Sequence, residues 1–91
     1  MSKTDKIVGL YDKYVMKTYT RVPLCLERGS GATAWDIDGK KYLDFFPGWA
    51  VSGIGHCHPA VAKAVSAQAK KLMHVSNNYY AQPQALLAKA K

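Results

Sequence analysis

The sequence predicts an α/β fold in which a helix leads into a three-stranded antiparallel meander, an apolar crossing loop and a further helix. Three observations carry that expectation. Apolar residues recur at three- and four-residue steps from Ile7 to Val15 and again from Val61 to Met73, the period of a helix with one buried face. Between these stretches lie short runs of strand-forming residues separated by Gly29-Ser30-Gly31 and by Asp38-Gly39. Pro47, Gly48, Gly53 and Gly55 then interrupt any regular element before the second helix.

The first helix is expected over 4–18. Ile7, Leu10, Tyr11, Tyr14 and Val15 form its stripe, and Ser2 or Thr4 serves as N-cap. Gly9 weakens it, and Thr20, Val22 and Pro23 carry the chain into extended conformation. The meander is expected over 24–46, with strands 24–28, 33–37 and 41–45. Gly29-Ser30-Gly31 forms the first turn, because glycine supplies the positive φ of a tight reversal. Asp38-Gly39 reads as a two-residue hairpin of the primed turn type. Thr33, Trp35 and Ile37 share one face of the middle strand.

The crossing loop, 47–58, carries Trp49, Ala50, Val51 and Ile54 between its chain-breaking residues. From Tyr42 to Ile54 the only charge is Asp44, while Phe45, Phe46 and Trp49 supply three large rings. Such a run is expected to lie covered against something, since an apolar patch of that extent marks a contact surface. Pro59, favoured at the first helical position, opens a helix over 59–73. Its buried stripe is expected to be Val61, Val65, Ala69, Leu72 and Met73. A last helix, 83–91, reads as truncated. The chain as a whole is therefore expected to be one piece of a larger body.

Size and composition exclude several classes. Ninety-one residues make one small domain at most. No apolar run approaches the roughly 20 residues of a membrane span, and the polar N-terminus lacks the apolar core of a signal peptide. The expected compartment is the cytoplasm, with Cys25 and Cys57 as reduced, partly buried thiols. The net charge of +7 is uneven, because all six acids lie at or before Asp44. With no aromatic residues interleaved among the later lysines, that asymmetry reads as solvated helix faces. It does not read as a nucleic-acid surface.

Local chemistry alone does not yield an active site. His56-Cys57-His58 offers no second pair of ligands to complete a tetrahedral metal site, so these imidazoles are expected to serve the loop backbone or the helix start. Cys57 stands in no thiolate-activating motif. Asp38 has a turn role, and Asp36 can cap or pair locally. The glycines match neither a dinucleotide-binding nor a phosphate-loop pattern. No catalytic, cofactor-binding or metal-ligating residue is assigned.

The order of motifs is nonetheless specific. Trp35-Asp36-x-Asp38-Gly39-Lys40-x-Tyr42-Leu43-Asp44-Phe45 is followed by Gly48-x-Ala50-Val51 and Gly55-His56-Cys57-His58-Pro59. His74-Val75-Ser76-Asn77-x-Tyr79-Tyr80 comes next. This order resembles the N-terminal part of the class III pyridoxal-phosphate aminotransferases. Within that family it is most similar to the members acting on N-acetylornithine, with the ornithine branch next. The likeness extends from about residue 11 to the end of the sequence.

The resemblance implies the N-terminal part of a type I, aspartate aminotransferase-like fold, with the large cofactor-binding domain outside these residues. It implies pyridoxal 5′-phosphate as cofactor, with the lysine, phosphate-binding segment and carboxylate-binding arginine all lying beyond this chain. It implies a cytoplasmic homodimeric transferase of arginine biosynthesis. That enzyme moves the amino group of N-acetylornithine to 2-oxoglutarate, giving N-acetylglutamate 5-semialdehyde and glutamate. The isolated fragment is expected to be inactive. Its partners are the remainder of the chain, a second subunit and the small-molecule substrates, with no nucleic acid or membrane.

Two residues are substrate-proximal by resemblance. Trp49 stands where ornithine-specific members carry a substrate-contacting tyrosine, and Tyr80 matches an aromatic residue near the substrate entrance at the subunit boundary. Both rings can instead be packing groups at an interface, where aromatic residues are enriched. Members acting on ornithine, succinylornithine or 4-aminobutyrate remain alternatives, as does a free-standing basic interaction module.

Overall fold

The computed structural model describes residues 1–90. It divides into two compact units, Met1–His58 and the residues from Pro59 onward.

The first unit opens with helix α1, Lys3–Tyr14, whose start is fixed by side chains at every available N–H. Ser2 Oγ accepts from the Asp5 N–H at 3.0 Å, and the Asp5 carboxylate accepts from the Ser2 N–H at 3.1 Å, a complete capping box. The Lys3 and Thr4 N–H groups, which no capping box reaches, donate to Asp38 at 2.9 and 3.1 Å. The Thr4 hydroxyl adds a third bond to the same carboxylate at 2.8 Å. The turn acid of one hairpin is therefore a second cap for a helix some 35 residues away in sequence.

These bonds, led by the Thr4 hydroxyl and the Lys3 N–H, hold the Asp38 carboxyl below the usual aspartate range. Replacing Ser2 with alanine is expected to cost about 1 kcal/mol of helix stability. Asp38→Ala is expected to speed amide exchange at Lys3 and Thr4 in NMR measurements. Unchanged rates there would show that other groups hold the helix end.

Helix α1 stops four residues short of the expected 18. Val15 is already extended, at φ −102° and ψ 132°, and its N–H closes the last turn on the Tyr11 carbonyl. The β-branched Thr18, Thr20 and Val22 that follow offer no helical gain to set against this exit.

The meander forms one antiparallel sheet in the order β1 (Leu26–Ser30), β2 (Thr33–Asp36), β3 (Lys41–Leu43). Both turns differ from the sequence expectation. Gly29 and Ser30 belong to the ladder, paired with Ala34 and Thr33, so the first reversal falls at Gly31 and Ala32. Gly31 alone supplies the positive φ, 57°. The second reversal is longer than a two-residue hairpin. Asp36 donates its N–H to the Lys40 carbonyl at 2.9 Å and accepts from the Gly39 N–H at 3.0 Å, leaving 37–39 as the loop. Gly39 has φ 93°, whereas Asp38 is not left-handed. That arrangement suits a three-residue connection, not a primed two-residue turn.

The core of this unit is small. Ala34 and Asp36, on one face of β2, are 2% and 6% exposed. Trp35 lies half-buried on the other face, with the Arg28 guanidinium 3.8 Å from its ring centroid. A buried carboxylate is tolerable only when its oxygens are satisfied. Asp36 Oδ1 accepts from the Asp38 and Lys40 N–H groups, and Oδ2 accepts from the Tyr42 hydroxyl at 2.8 Å. Burial pushes the Asp36 carboxyl up, but the bonds from Lys40, Tyr42 and Asp38 outweigh it and hold it below its ordinary value. The same hydrogen bond to Asp36 pushes the Tyr42 hydroxyl up.

The second unit contains α2 (Pro59–Lys71) and α3 (Gln82–Ala90). Helix α2 ends two residues before the expected 73. The Gln68 side chain turns back onto the Leu72 carbonyl at 2.8 Å and takes up an acceptor that a further turn would have used. Neither helix carries a buried residue, so the stripe of Val61, Val65, Leu72 and Met73 stands exposed and not buried as expected. The stripe is periodic, and the described residues of its own unit leave it exposed. For the expected helix 83–91, Lys91 lies outside the described residues. Among the described residues, no helix is long and apolar enough to cross a membrane.

Candidate functional site

The crossing loop is the part of the first unit with the least ordinary backbone. Gly48, Trp49 and Ala50 have φ of 61°, 60° and 68°, three left-handed residues in succession. For a residue with a Cβ that region costs roughly 1–2 kcal/mol, and two of the three have one. Strain of this kind persists only where surrounding structure imposes it, and it concentrates at functional sites. Within the loop, Ser52 donates its N–H to the Pro47 carbonyl at 3.0 Å, Val51 to Gly48 at 3.3 Å, and Gly55 to Ser52 at 2.9 Å.

Both ends of the loop are tied to the first hairpin. At the start, Asp44 donates its N–H to the Ala32 carbonyl at 2.8 Å, and its Oδ1 accepts from the Phe46 N–H at 3.1 Å. At the end, His56 exchanges both backbone bonds with Gly31, at 2.8 and 3.0 Å. The two ends then meet directly, since His56 Nε2 lies 2.5 Å from Asp44 Oδ2. The bonds from His56 and from the Phe46 N–H hold the Asp44 carboxyl below its ordinary value. Glycine makes this seat possible. A Cβ on Gly29 would lie 2.7 Å from the His56 ring, and one on Gly55 would lie 2.9 Å from the Gly31 carbonyl oxygen. A recess of about 250 Å³ opens beside this junction, lined by Asp44, Phe45, Phe46, Ser52 and His56 among others.

Trp49 is presented outward. Its ring is 88% exposed and meets Phe46 edge-on, with centroids 6.0 Å apart. Phe45, Phe46, Val51 and Ile54 are exposed as well, so the described residues leave the loop uncovered. Tyr80 belongs to the second unit and is fully exposed ahead of α3. Each of the two substrate-proximal candidates is thus a surface ring in its own unit.

Among the described residues, no three or more His, Cys, Asp or Glu side chains gather as a metal site. Both cysteines are free thiols. Cys25 is half-buried, but Cys57 is exposed, not partly buried as expected, at a left-handed φ of 54°. A larger groove of about 570 Å³ runs along α1 and residues 15–26, where the Arg21 guanidinium lies over the Tyr11 ring at 4.9 Å. It shares no lining residue with the recess at the crossing loop. All the described lysines are exposed within this chain.

Sequence reasoning missed the Asp44–His56 pair and the capping role of Asp38. Each joins residues far beyond helical or strand spacing, and no local period marks such a partner.

The chain matches the family described as aminotransferase class-III over residues 14–91. It is 54% identical over 84 residues to the acetylornithine aminotransferase of Methanosarcina mazei, covering 92% of this chain and 21% of that protein. Against the acetylornithine aminotransferase of Methanothermobacter thermautotrophicus the identity is 51% over 86 residues, covering 94% and 22%. The chain thus spans about a fifth of the length of the curated relatives it matches. In three dimensions it superimposes on acetylornithine aminotransferase from Elizabethkingia anophelis with a TM-score of 0.93 at 30% identity, covering 99% of this chain and 22% of that one. Ornithine δ-aminotransferase from Plasmodium falciparum gives 0.87 at 28% identity, covering 93% and 22%. With the family matched over most of its length, this α/β chain belongs to the class III aminotransferases.

Proposed function

We propose that this chain is a segment of a pyridoxal-phosphate-dependent acetylornithine aminotransferase, which moves the amino group of N-acetylornithine to 2-oxoglutarate in arginine biosynthesis. The observation that carries this reading is the 54% identity to an acetylornithine aminotransferase across 92% of the chain. By resemblance, the lysine, phosphate-binding segment and carboxylate-binding arginine lie outside the described residues, and no chemical step is assigned to these. Their contribution is a surface and two rings.

The uncovered rings of 45–54 suit a face that the rest of the enzyme and a second subunit close over in a cytoplasmic homodimer. Trp49, raised on a strained turn, meets the amino donor, and Tyr80 lies toward the substrate entrance. The 91 residues alone do not transaminate.

The test is an amino-donor panel in the complete enzyme carrying this segment, with 2-oxoglutarate as acceptor. N-acetylornithine is expected to give the highest kcat/KM. A preference for ornithine, succinylornithine or 4-aminobutyrate would move the enzyme to another branch of the family. The purified 91-residue chain is expected to show no saturable transamination, and measurable turnover by it would contradict the reading.

A further inference from the structure

The loop that carries Trp49 poses a physical question. Three consecutive left-handed residues are strained, and among the described residues the loop's own backbone bonds run from Ser52 to Pro47, Val51 to Gly48 and Gly55 to Ser52, with the Trp49 ring against Phe46. Within the described residues, the further ties on the turn lie at its ends. At both ends the same two side chains appear. Asp44 holds the Phe46 N–H with one carboxylate oxygen and His56 with the other. His56 is pinned three ways, by two backbone bonds to Gly31, by close packing of its ring on Gly29, and by Asp44. The pair converts residues 44–56 into a closed loop whose ends are joined by a side-chain bond as well as by the sheet.

From this we infer that Asp44 and His56 are positioning residues, which clamp the crossing loop and so fix the orientation in which Trp49 meets the amino donor. The inference rests on the reading of Trp49 given above. Neither residue touches substrate. Each acts through the loop. Opening the clamp lets Gly48–Ala50 relax out of the left-handed region, and Trp49 leaves its angle. Misplacing a substrate-positioning group by about 1 Å can cost up to roughly 100-fold in rate.

The experiment is a double-mutant cycle in the complete enzyme carrying this segment. His56→Ala is expected to raise KM for N-acetylornithine about tenfold with a smaller change in kcat, as lost ground-state positioning does. His56→Gln, whose amide can still reach Asp44, is expected to recover most of that loss. In a Trp49→Ala background, His56→Ala is expected to add nothing further, because the residue it positions is gone. Full additivity of His56→Ala and Trp49→Ala would overturn the inference, as would equal falls in kcat and kcat/KM without rescue by glutamine. If Trp49→Ala alone leaves the donor KM unchanged while His56→Ala raises it, the reading of Trp49 is what fails. If neither changes it, both fail.

Discussion

A Gly55→Ala chain is expected to unfold roughly 10 °C below the wild type. Two costs coincide at this position. Gly55 has φ 84°, a region that costs a residue with a Cβ roughly 1–2 kcal/mol. Its Cβ would also lie 2.9 Å from the Gly31 carbonyl oxygen and 3.0 Å from that residue's carbonyl carbon and Cα. These are backbone atoms of the His56 bridge and cannot move aside without breaking it. In a domain of this size each 1 kcal/mol lowers the melting temperature by about 4–8 °C, so the sum is large. Gly31→Ala provides the control. Its φ of 57° exacts the conformational cost, but nothing lies within 4 Å of the added methyl group. Thermal unfolding followed by circular dichroism should rank Gly55→Ala well below Gly31→Ala. Equal melting temperatures would show that the crossing is not seated on the hairpin.

The first unit is expected to lose stability sharply on acidification, with Asp36 as a main contributor. Asp36, Asp38 and Asp44 are all held below their ordinary values by hydrogen bonds that only the ionised carboxylate accepts in full. A folded pKa below the unfolded one means that the unfolded chain binds more protons in the intervening range. The stabilisation is therefore complete above the ordinary aspartate value of about 4 and drains away as pH falls through the folded values. Tyr42 sets the opposite edge. Its hydroxyl is pushed up, so its contribution is complete below the ordinary tyrosine value of about 10 and is lost as pH rises through the folded one. Asp36→Asn is expected to lower stability at pH 7, because an amide cannot accept all three bonds. It is also expected to flatten the acid slope. Urea unfolding between about pH 3 and 7 measures both, and an unchanged slope in the variant would remove Asp36 from the acid response.

The strength of local signals decided how much of this was legible in the sequence. The element order followed from period and punctuation, since Pro59 opens a helix and paired glycines bound strands wherever they occur. The turn registers did not follow. Gly29-Ser30-Gly31 contains two glycines fit for a reversal, and the choice between them falls to the contact between Gly29 and His56, which forbids a side chain at 29 within the ladder. Asp38-Gly39 has the composition of a two-residue hairpin, but Asp36 closes a wider loop around it because its buried carboxylate needs the Asp38 and Lys40 N–H groups. The rings of 45–54 and the α2 stripe have the apolar character of covered surface, and the described residues leave both exposed. The motif order singled out Trp49 as an expectation, whereas the Asp44–His56 pair was hidden by the eleven positions between its members.

This segment is proposed to deliver Trp49 to the amino donor of an acetylornithine aminotransferase. The most direct measurement is the kcat/KM for N-acetylornithine of the complete enzyme with Trp49→Ala, compared with wild type at equal folded fraction. A ring that meets the donor is expected to account for a fall of about 10- to 100-fold, roughly 1.4–2.7 kcal/mol of transition-state stabilisation. An unchanged kcat/KM would contradict the claim and leave Trp49 as an interface ring only.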